Sequence, residues 1–106
     1  LVAGGSGGPR IITGTLEAAL NVLVFNLGAE DAVARPRFHH QWQPDSIGLE
    51  DPLRGTPLEA ELKSRYGHAT DRRDMVGTIQ LIRRGVGGTG WDAASDPRKG
   101  GVAAGY

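Results

Sequence analysis

The sequence predicts an α+β fold, and three patterns support this class. Apolar residues recur at helical spacing from Pro9 to Asn26, which indicates one long helix. Thr56-Pro57-Leu58-Glu59 forms a capping box with proline at the first helical position, so another helix begins there. Thr78 to Ile82 alternates in polarity before a glycine-rich turn, which indicates a β-hairpin. Strands and helices do not alternate regularly, so an α+β layer is favoured over a repeating βαβ unit.

Composition bounds the size and partners of the chain. The 106 residues predict a single domain, and residues 1–106 contain no internal domain boundary. Twelve basic and twelve acidic residues give zero formal charge, which argues against nucleic acid or an anionic membrane as a partner. There is no cysteine, and the longest apolar run, Val22 to Phe25, is far below the roughly 18 residues of a membrane span.

The first residues predict a strand end and a turn. Leu1 to Ala3 is apolar and runs directly into the glycine-rich segment Gly4 to Gly8. The chain opens without methionine or a leader, and nothing precedes the strand that could pair with it. We therefore expect an upstream segment to belong with this chain.

The long helix is apolar on two sides. Pro9 suits its first position, and Gly28 is predicted to take the left-handed position after its end. Two stripes run along it about 100° apart, one of Ile12, Leu16, Ala19, Leu20 and Leu23, the other of Ile11, Thr15, Ala18, Val22 and Phe25. Burial is therefore expected on both sides.

The middle of the chain predicts short elements. Ala29 to Arg35 reads as a short helix stopped by Pro36, and the following segment to Asp45 as irregular or extended. Ile47 and Leu49 indicate a short strand.

The second half predicts a helix and the hairpin. The helix starts at the capping box and runs to about Tyr66, with Leu58 and Leu62 facing the core, Glu59 on the exposed side and Gly67 at its end. Trp91 to Ala94 is predicted as the return strand of the hairpin, followed by a Gly/Ala-rich tail.

The glycine pair Gly7-Gly8 is the most informative local feature. A phosphate-binding P-loop needs Lys-Ser/Thr after its last glycine, whereas Pro9 and Arg10 follow here, and Arg10 also stands where a dinucleotide fingerprint needs its third glycine. The amides of Gly7 and Gly8 at a helix N-terminus could still form an oxyanion hole. The alternative is an ordinary strand-to-helix turn.

Other chemistry-bearing residues favour structural roles. His39 and His40 point to opposite faces of an extended segment, and only His68 could join them, so hydrogen bonding and packing beside Phe38 and Trp42 are favoured over a metal site.

The remaining charged and nucleophilic residues form no evident catalytic set. The pairs Arg72-Arg73 and Arg83-Arg84 read as solvated surface, and Asp96 as a turn residue accepting backbone N–H bonds. A Ser6 or Thr13 nucleophile with a histidine base is conceivable, but nothing in the spacing favours it.

Three segments resemble the end of the γ-glutamyltranspeptidase small subunit, and the resemblance covers essentially the whole chain. They are Gly7-Gly8-Pro9-Arg10-Ile11-Ile12, the run from Ala34 to Trp42 with Pro44-Asp45, and Ala94-Ser95-Asp96-Pro97-Arg98 with the closing Ala104-Gly105-Tyr106. The resemblance implies part of an αββα N-terminal nucleophile hydrolase. In that family a precursor cleaves itself into two subunits, and the new N-terminal threonine attacks γ-glutamyl amides such as glutathione without a metal or other cofactor.

The resemblance assigns the oxyanion hole to Gly7 and Gly8 through their main-chain N–H groups. The family commonly has Ser-Pro before this pair, where Gly5-Ser6 stands here. The nucleophile and the residues that hold the substrate lie outside the 106 residues, so the isolated chain is expected to be inactive.

The implied partners are the large subunit and the N-terminal part of the small subunit, and an isolated chain is expected to self-associate through its exposed strand edge and apolar helix face. Bacterial relatives imply a periplasmic or secreted location. A non-catalytic assembly or binding module with the same fold, or a related acylase, remains an alternative.

Overall fold

The computed structural model describes residues 1–105, except for the side chain of residue 86. Tyr106, which closes the third family-like segment, lies outside these residues. The helices are α1 (Arg10–Leu23), α2 (Ala29–Ala34) and α3 (Pro57–Ser64). The strands are β1 (Val2–Ser6), β2 (Phe38–His39), β3 (Ile47–Glu50), β4 (Thr70–Arg73), β5 (Thr78–Arg84) and β6 (Trp91–Ser95). The predicted α+β class is confirmed.

The first sheet has the order β1-β5-β6, and both pairings are antiparallel. The predicted hairpin is formed by β5 and β6. The partner of β1 is β5, near the other end of the chain, with Val2 opposite Ile82 and Ser6 opposite Thr78. β1 is longer than predicted because its glycines are strand residues: a Cβ on Gly5 would lie 2.3 Å from the Thr78 carbonyl oxygen.

Helices cover one face of this sheet. The described core consists of Ala18, Val22, Ala29, Ala32, Val33, Ile79, Leu81 and Ala94, contributed by α1, α2, β5 and β6. Small residues on both helices let them approach β5 closely. Only the second predicted stripe of α1 supplies buried residues, Ala18 and Val22, whereas Ile12, Leu16 and Leu23 of the first stripe are exposed.

The end of α1 differs from the prediction. The helix stops at Leu23, and the residue that takes the left-handed conformation after it is Asn26, with φ of 55°. Gly28 has φ of −63° and is the N-cap of α2, where its carbonyl accepts a hydrogen bond from the Ala32 amide at 2.9 Å. The prediction for Gly28 was therefore wrong, because asparagine also tolerates positive φ.

The second sheet has the order β2-β3-β4. β3 pairs antiparallel with β2 and parallel with β4. β4 was not predicted, because all four of its residues are polar and carry no apolar alternation.

α3 begins at the predicted capping box, and Gly67 has φ of 71° beyond its end. Its orientation was predicted wrongly: Leu58 is exposed, whereas Glu59 is buried. The Glu59 carboxylate accepts hydrogen bonds from Lys63 Nζ at 2.8 Å, Thr70 Oγ1 at 2.6 Å and the Gly55 amide at 2.6 Å. Lys63, Thr70 and then the Gly55 amide lower the pKa of Glu59 to about 2, so the group is buried as an ion.

Candidate active site

The turn between β1 and α1 contains Gly7 and Gly8. Gly7 has φ of 137° and Gly8 has φ of 62°, conformations that side chains rarely adopt. Pro9 is the N-cap residue, and the Gly8 carbonyl accepts a hydrogen bond from the Ile11 amide at 3.0 Å. The glycine pair therefore lies directly before the N-terminus of α1.

One segment supports this turn: the loop of residues 75–77, which we call the supporting loop, together with Thr78 at the start of β5. A Cβ on Gly7 would lie 2.8 Å from Gly77 Cα, so the two backbones touch and no side chain fits between them. Ser6 Oγ hydrogen-bonds with Thr78 Oγ1 at 2.6 Å on one side of the pair. On the other side, Arg10 Nη1 donates to the Met75 carbonyl at 3.0 Å.

The supporting loop is held in turn by four charged side chains, Arg37, Glu50, Asp96 and Arg98, which we call the ion cluster. Arg37 Nη1 donates to the carbonyls of Val76 and Gly77, both at 3.3 Å. Glu50 Oε1 accepts a hydrogen bond from the Val76 amide at 2.8 Å. The ion cluster thus fixes the backbone next to Gly7 through both N–H and C=O groups.

The amides of the glycine pair are available to a ligand. Both glycines are exposed. Within residues 1–105, neither amide donates a hydrogen bond to another group of the chain. Two neighbouring donors before a helix N-terminus can hold an oxygen that carries negative charge.

The two neighbouring histidines have separate hydrogen-bond partners. His39 is buried, with Nδ1 2.7 Å from Thr13 Oγ1 and Nε2 2.8 Å from Gln41 Oε1. His40 Nε2 lies 3.2 Å from Asp45 Oδ1. The predicted hydrogen-bonding role is confirmed. Among the described residues, no three His, Cys, Asp or Glu side chains are close enough to hold a metal ion.

The structure brings Thr13 and His39 together but leaves Ser6 without a histidine. The Thr13 contact links α1 to β2, and the Ser6 hydroxyl is used by Thr78. Neither arrangement assembles a nucleophile, a base and an orienting acid.

Asp96 is a turn residue, as predicted, and it is also a member of the ion cluster. Its carboxylate accepts hydrogen bonds from the amides of Arg98 at 3.0 Å and Ile79 at 2.7 Å. It also pairs with Arg37, which the sequence did not reveal because the two residues are far apart along the chain.

One arginine in each of the two pairs was predicted incorrectly, since the Arg73 side chain is 33% exposed and its Nε is buried. The Arg83 side chain is largely buried, donating to the Leu27 carbonyl at 2.6 Å and lying 3.5 Å from Asp92. It ties the α1–α2 connection to the hairpin and is therefore not a solvated surface residue.

Glu17 on α1 is a half-buried titratable group. Its Oε1 accepts a hydrogen bond from the Phe38 amide at 3.1 Å, whereas its buried Oε2 has no partner among the described residues. Burial raises the pKa of Glu17 to about 7, against the weaker opposing effects of the Phe38 amide and Arg37.

Among the described residues, no helix has both the length and the apolar character needed to cross a bilayer.

Comparison with known proteins assigns this architecture. The γ-glutamyltranspeptidase family model matches residues 1–106. The glutathione hydrolase proenzyme of Escherichia coli (strain K12) is 37% identical over 98 residues, covering 92% of this chain and 16% of that protein. The glutathione hydrolase proenzyme of Pseudomonas aeruginosa is 41% identical over 105 residues, covering 96% of this chain and 18% of that protein.

A solved structure agrees with these relatives. The γ-glutamyltranspeptidase from Pseudomonas nitroreducens complexed with L-DON is 36% identical and superposes with a TM-score of 0.82 over 99% of this chain and 54% of that chain. The fold is thus that of a segment of an N-terminal nucleophile hydrolase. The chain belongs to the γ-glutamyltranspeptidase family, and it spans less than a fifth of the length of the two curated relatives.

Proposed function

We propose that the protein containing this chain transfers the γ-glutamyl group of glutathione or a related amide to water or to an acceptor amino acid. The observation that carries the proposal is the pair of exposed amides of Gly7 and Gly8 before α1, which donate to no group within residues 1–105. Family membership over the whole chain supports it, as do two curated relatives named glutathione hydrolase proenzyme.

In this proposal the glycine pair stabilises the charge that develops during acyl transfer. Attack on the γ-carbonyl carbon moves negative charge onto the carbonyl oxygen, and two fixed N–H donors stabilise that oxyanion. One such donor typically contributes about 10²–10³ in kcat. The supporting loop holds the donors in place before the charge appears, so little reorganisation is needed.

The nucleophile and the groups that hold the substrate come, in this proposal, from polypeptide outside residues 1–106. Two apolar faces that are exposed in the described residues support such partners. One is the exposed stripe of α1, defined by Ile12, Leu16, Leu20 and Leu23. The other is the outer face of the first sheet, where Val2, Ile82 and Trp91 are exposed. The large subunit and the rest of the small subunit are the proposed occupants of these faces.

A chimera tests this proposal. The matching segment of the Escherichia coli proenzyme is replaced by residues 1–106, and hydrolysis of γ-glutamyl-p-nitroanilide is measured for the chimera and for the isolated chain. We expect turnover by the chimera and none above buffer by the isolated chain.

Each alternative gives a different result. A chimera that folds and matures without turnover would favour a non-catalytic module. Turnover by the isolated chain would contradict the proposal that the nucleophile lies outside residues 1–106. A periplasmic or secreted location is part of the same proposal and is checked by cell fractionation of the source organism.

A further inference from the structure

A small polar cavity lies beside the first turn of α1. Its volume is about 210 Å³. It is lined by Pro9 and Arg10 at the start of the helix, His39 on β2, Gln41 and Ser46 in the following loop, and Arg73 on β4. Pro9 and Arg10 directly follow the glycine pair, so the cavity adjoins the proposed oxyanion hole.

The side-chain acceptors in this wall are already used. The Gln41 Oε1 atom accepts from His39 Nε2, and His39 Nδ1 is hydrogen-bonded with the Thr13 hydroxyl. The Gln41 amide nitrogen donates to the Gln43 carbonyl at 2.9 Å. His39 and Gln41 therefore shape the wall, and they offer a ligand little further hydrogen-bonding capacity.

Two guanidinium groups, in contrast, keep unused donors. Arg10 is bonded through Nη1 to the Met75 carbonyl, and no carboxylate among residues 1–105 lies within ion-pair distance of it. Arg73 pairs through Nη2 with Asp71 at 2.9 Å, but its Nε is buried and has no partner in the described chain. A buried donor without an acceptor is costly, so a ligand that accepts hydrogen bonds is favoured there.

Two of the three neighbouring carboxylates pair with Arg72, and the third, Asp71, pairs with Arg73 of the cavity itself. Arg72 lies between Asp51 and Asp74, at 2.7 Å and 3.0 Å. Asp71 faces Arg73 and the Ser46 hydroxyl. Among the three arginines on this side of the molecule, Arg10 is the one without a carboxylate in the described residues.

The position of Arg73 depends on a glycine in the adjacent strand. A Cβ on Gly48 would lie 2.5 Å from Arg73 Cγ and 2.6 Å from Arg73 Nε. The arginine stem therefore lies flat on β3, and this close packing limits the directions its guanidinium can take.

We propose that this cavity binds a carboxylate through Arg10 and Arg73. The planar fork of arginine matches a carboxylate in geometry and charge. The ligand class rests on the proposed function: a peptide released from the γ-glutamyl group, or an amino acid that accepts it, carries a carboxylate close to the reacting nitrogen. The volume suits the end of a dipeptide.

Binding to the chimera in the absence of a γ-glutamyl donor tests the site without any turnover. The Nε–H resonances of the arginines are followed by NMR while glycylglycine or glycylglycinamide is added. We expect saturable shifts at Arg10 and Arg73 with glycylglycine only. Arg10→Gln should weaken this binding roughly tenfold, because a charge-assisted hydrogen bond is lost. Arg54→Gln, at an exposed arginine away from the cavity, is the matched control.

Three results would overturn the proposal: no saturable shift, equal shifts with the amide, or equal shifts with sulfate, which would indicate an adventitious ion only. Failure of the proposed function can be distinguished from failure of the proposed carboxylate site. An inactive chimera that still binds glycylglycine would contradict the proposed function and support the carboxylate site. An active chimera that does not bind glycylglycine would contradict the carboxylate site alone.

Discussion

Arg37 and Asp96 form a buried ion pair in which Nη1 and Oδ2 are 2.8 Å apart, with 1% and 0% of the side chains exposed. Glu50 and Arg98 complete the ion cluster, and Arg98 donates to both Glu50 oxygens. With two guanidinium and two carboxylate groups, the cluster is electrically neutral. Arg37 also donates to the Val33 carbonyl at 2.6 Å. The cluster thereby joins α2, both sheets and the loop beneath the glycine pair.

Removing one member of this pair should destabilise the chain strongly. We expect Arg37→Met or Asp96→Asn to lower the free energy of unfolding by about 3–5 kcal/mol, because either change leaves a buried charge without its partner. The double variant should cost less than the sum of the two single changes. Denaturant unfolding measures both effects, and a loss below about 1 kcal/mol in each single variant would contradict the assigned role.

A fall in pH should destabilise the folded chain through protonation of Asp96. Burial alone would raise the pKa of Asp96, but the amides of Arg98 and Ile79 and the Arg37 guanidinium together bring it below the usual 3.8. A carboxylate with a lowered pKa stabilises the native state above its unfolded value, and this contribution is lost as pH falls through the folded-state pKa. The acid limb of the stability curve should therefore be shallower in Asp96→Asn, and an unchanged limb would count against the pairing.

Glu17 should have the opposite pH dependence. Its pKa is raised from 4.5 to about 7, so the native state holds the proton more tightly than the unfolded chain between these values. Stability should decline as pH rises through that window, by about 1–2 kcal/mol after allowance for solvent screening. Glu17→Gln should abolish this decline and be the more stable protein at pH 8.

The control for that measurement is Glu30→Gln, which changes an exposed carboxylate on α2. It should retain the decline between pH 4.5 and 7. If the Glu17→Gln variant also lost stability between pH 4.5 and 7, the burial of Glu17 would not be the cause of that loss.

Two adjacent glycines of β1 should respond differently to alanine. A Cβ on Gly5 would lie 2.3 Å from the Thr78 carbonyl oxygen and 2.6 Å from Ile79 Cδ1, whereas nothing lies within 4 Å of a Cβ on Gly4. We expect Gly5→Ala to cost about 1–3 kcal/mol through overpacking and Gly4→Ala to be neutral. Thermal unfolding compares the two, and equal effects would show that β1 and β5 are not packed as described.

The isolated chain should self-associate through the exposed stripe of α1. Ile12 and Leu23 are 76% and 69% exposed, so an apolar face remains in water. Sedimentation velocity should detect oligomers that Ile12→Glu/Leu23→Glu removes. Val102→Glu, at an exposed tail residue, is the control. A monomer at high concentration before any substitution would contradict this expectation.

Local signals predicted the presence of α1, α3 and the hairpin, because periodicity, capping and glycine turns act over a few residues. β4 was missed because its charged residues are stabilised by ion pairs rather than an apolar face. The burial of Glu59 depends on its contact with Thr70, which lies on another element. The capping box alone therefore led to the wrong prediction that Glu59 is exposed.

The candidate site was predicted only in part. Gly7 and Gly8 are recognisable from the sequence because the turn needs positive φ, and the resemblance supplies their role. The support beneath them was not predicted, since the contacts to residues 75–78 and from Arg37 join distant parts of the chain. No local pattern encodes such contacts.

The most direct measurement compares Gly8→Ala with Gly55→Ala in the chimera. Both glycines have positive φ, 62° and 68°, and open space at the Cβ position, so alanine imposes the same backbone strain at each. Alanine keeps the N–H at position 8, but its strain at positive φ displaces that N–H from the oxyanion. If the Gly8 amide is a donor, Gly8→Ala should therefore lower kcat for γ-glutamyl-p-nitroanilide roughly a hundredfold, while the same strain at Gly55 leaves kcat unchanged. Equal kcat values for the two variants would contradict a catalytic role for the glycine pair.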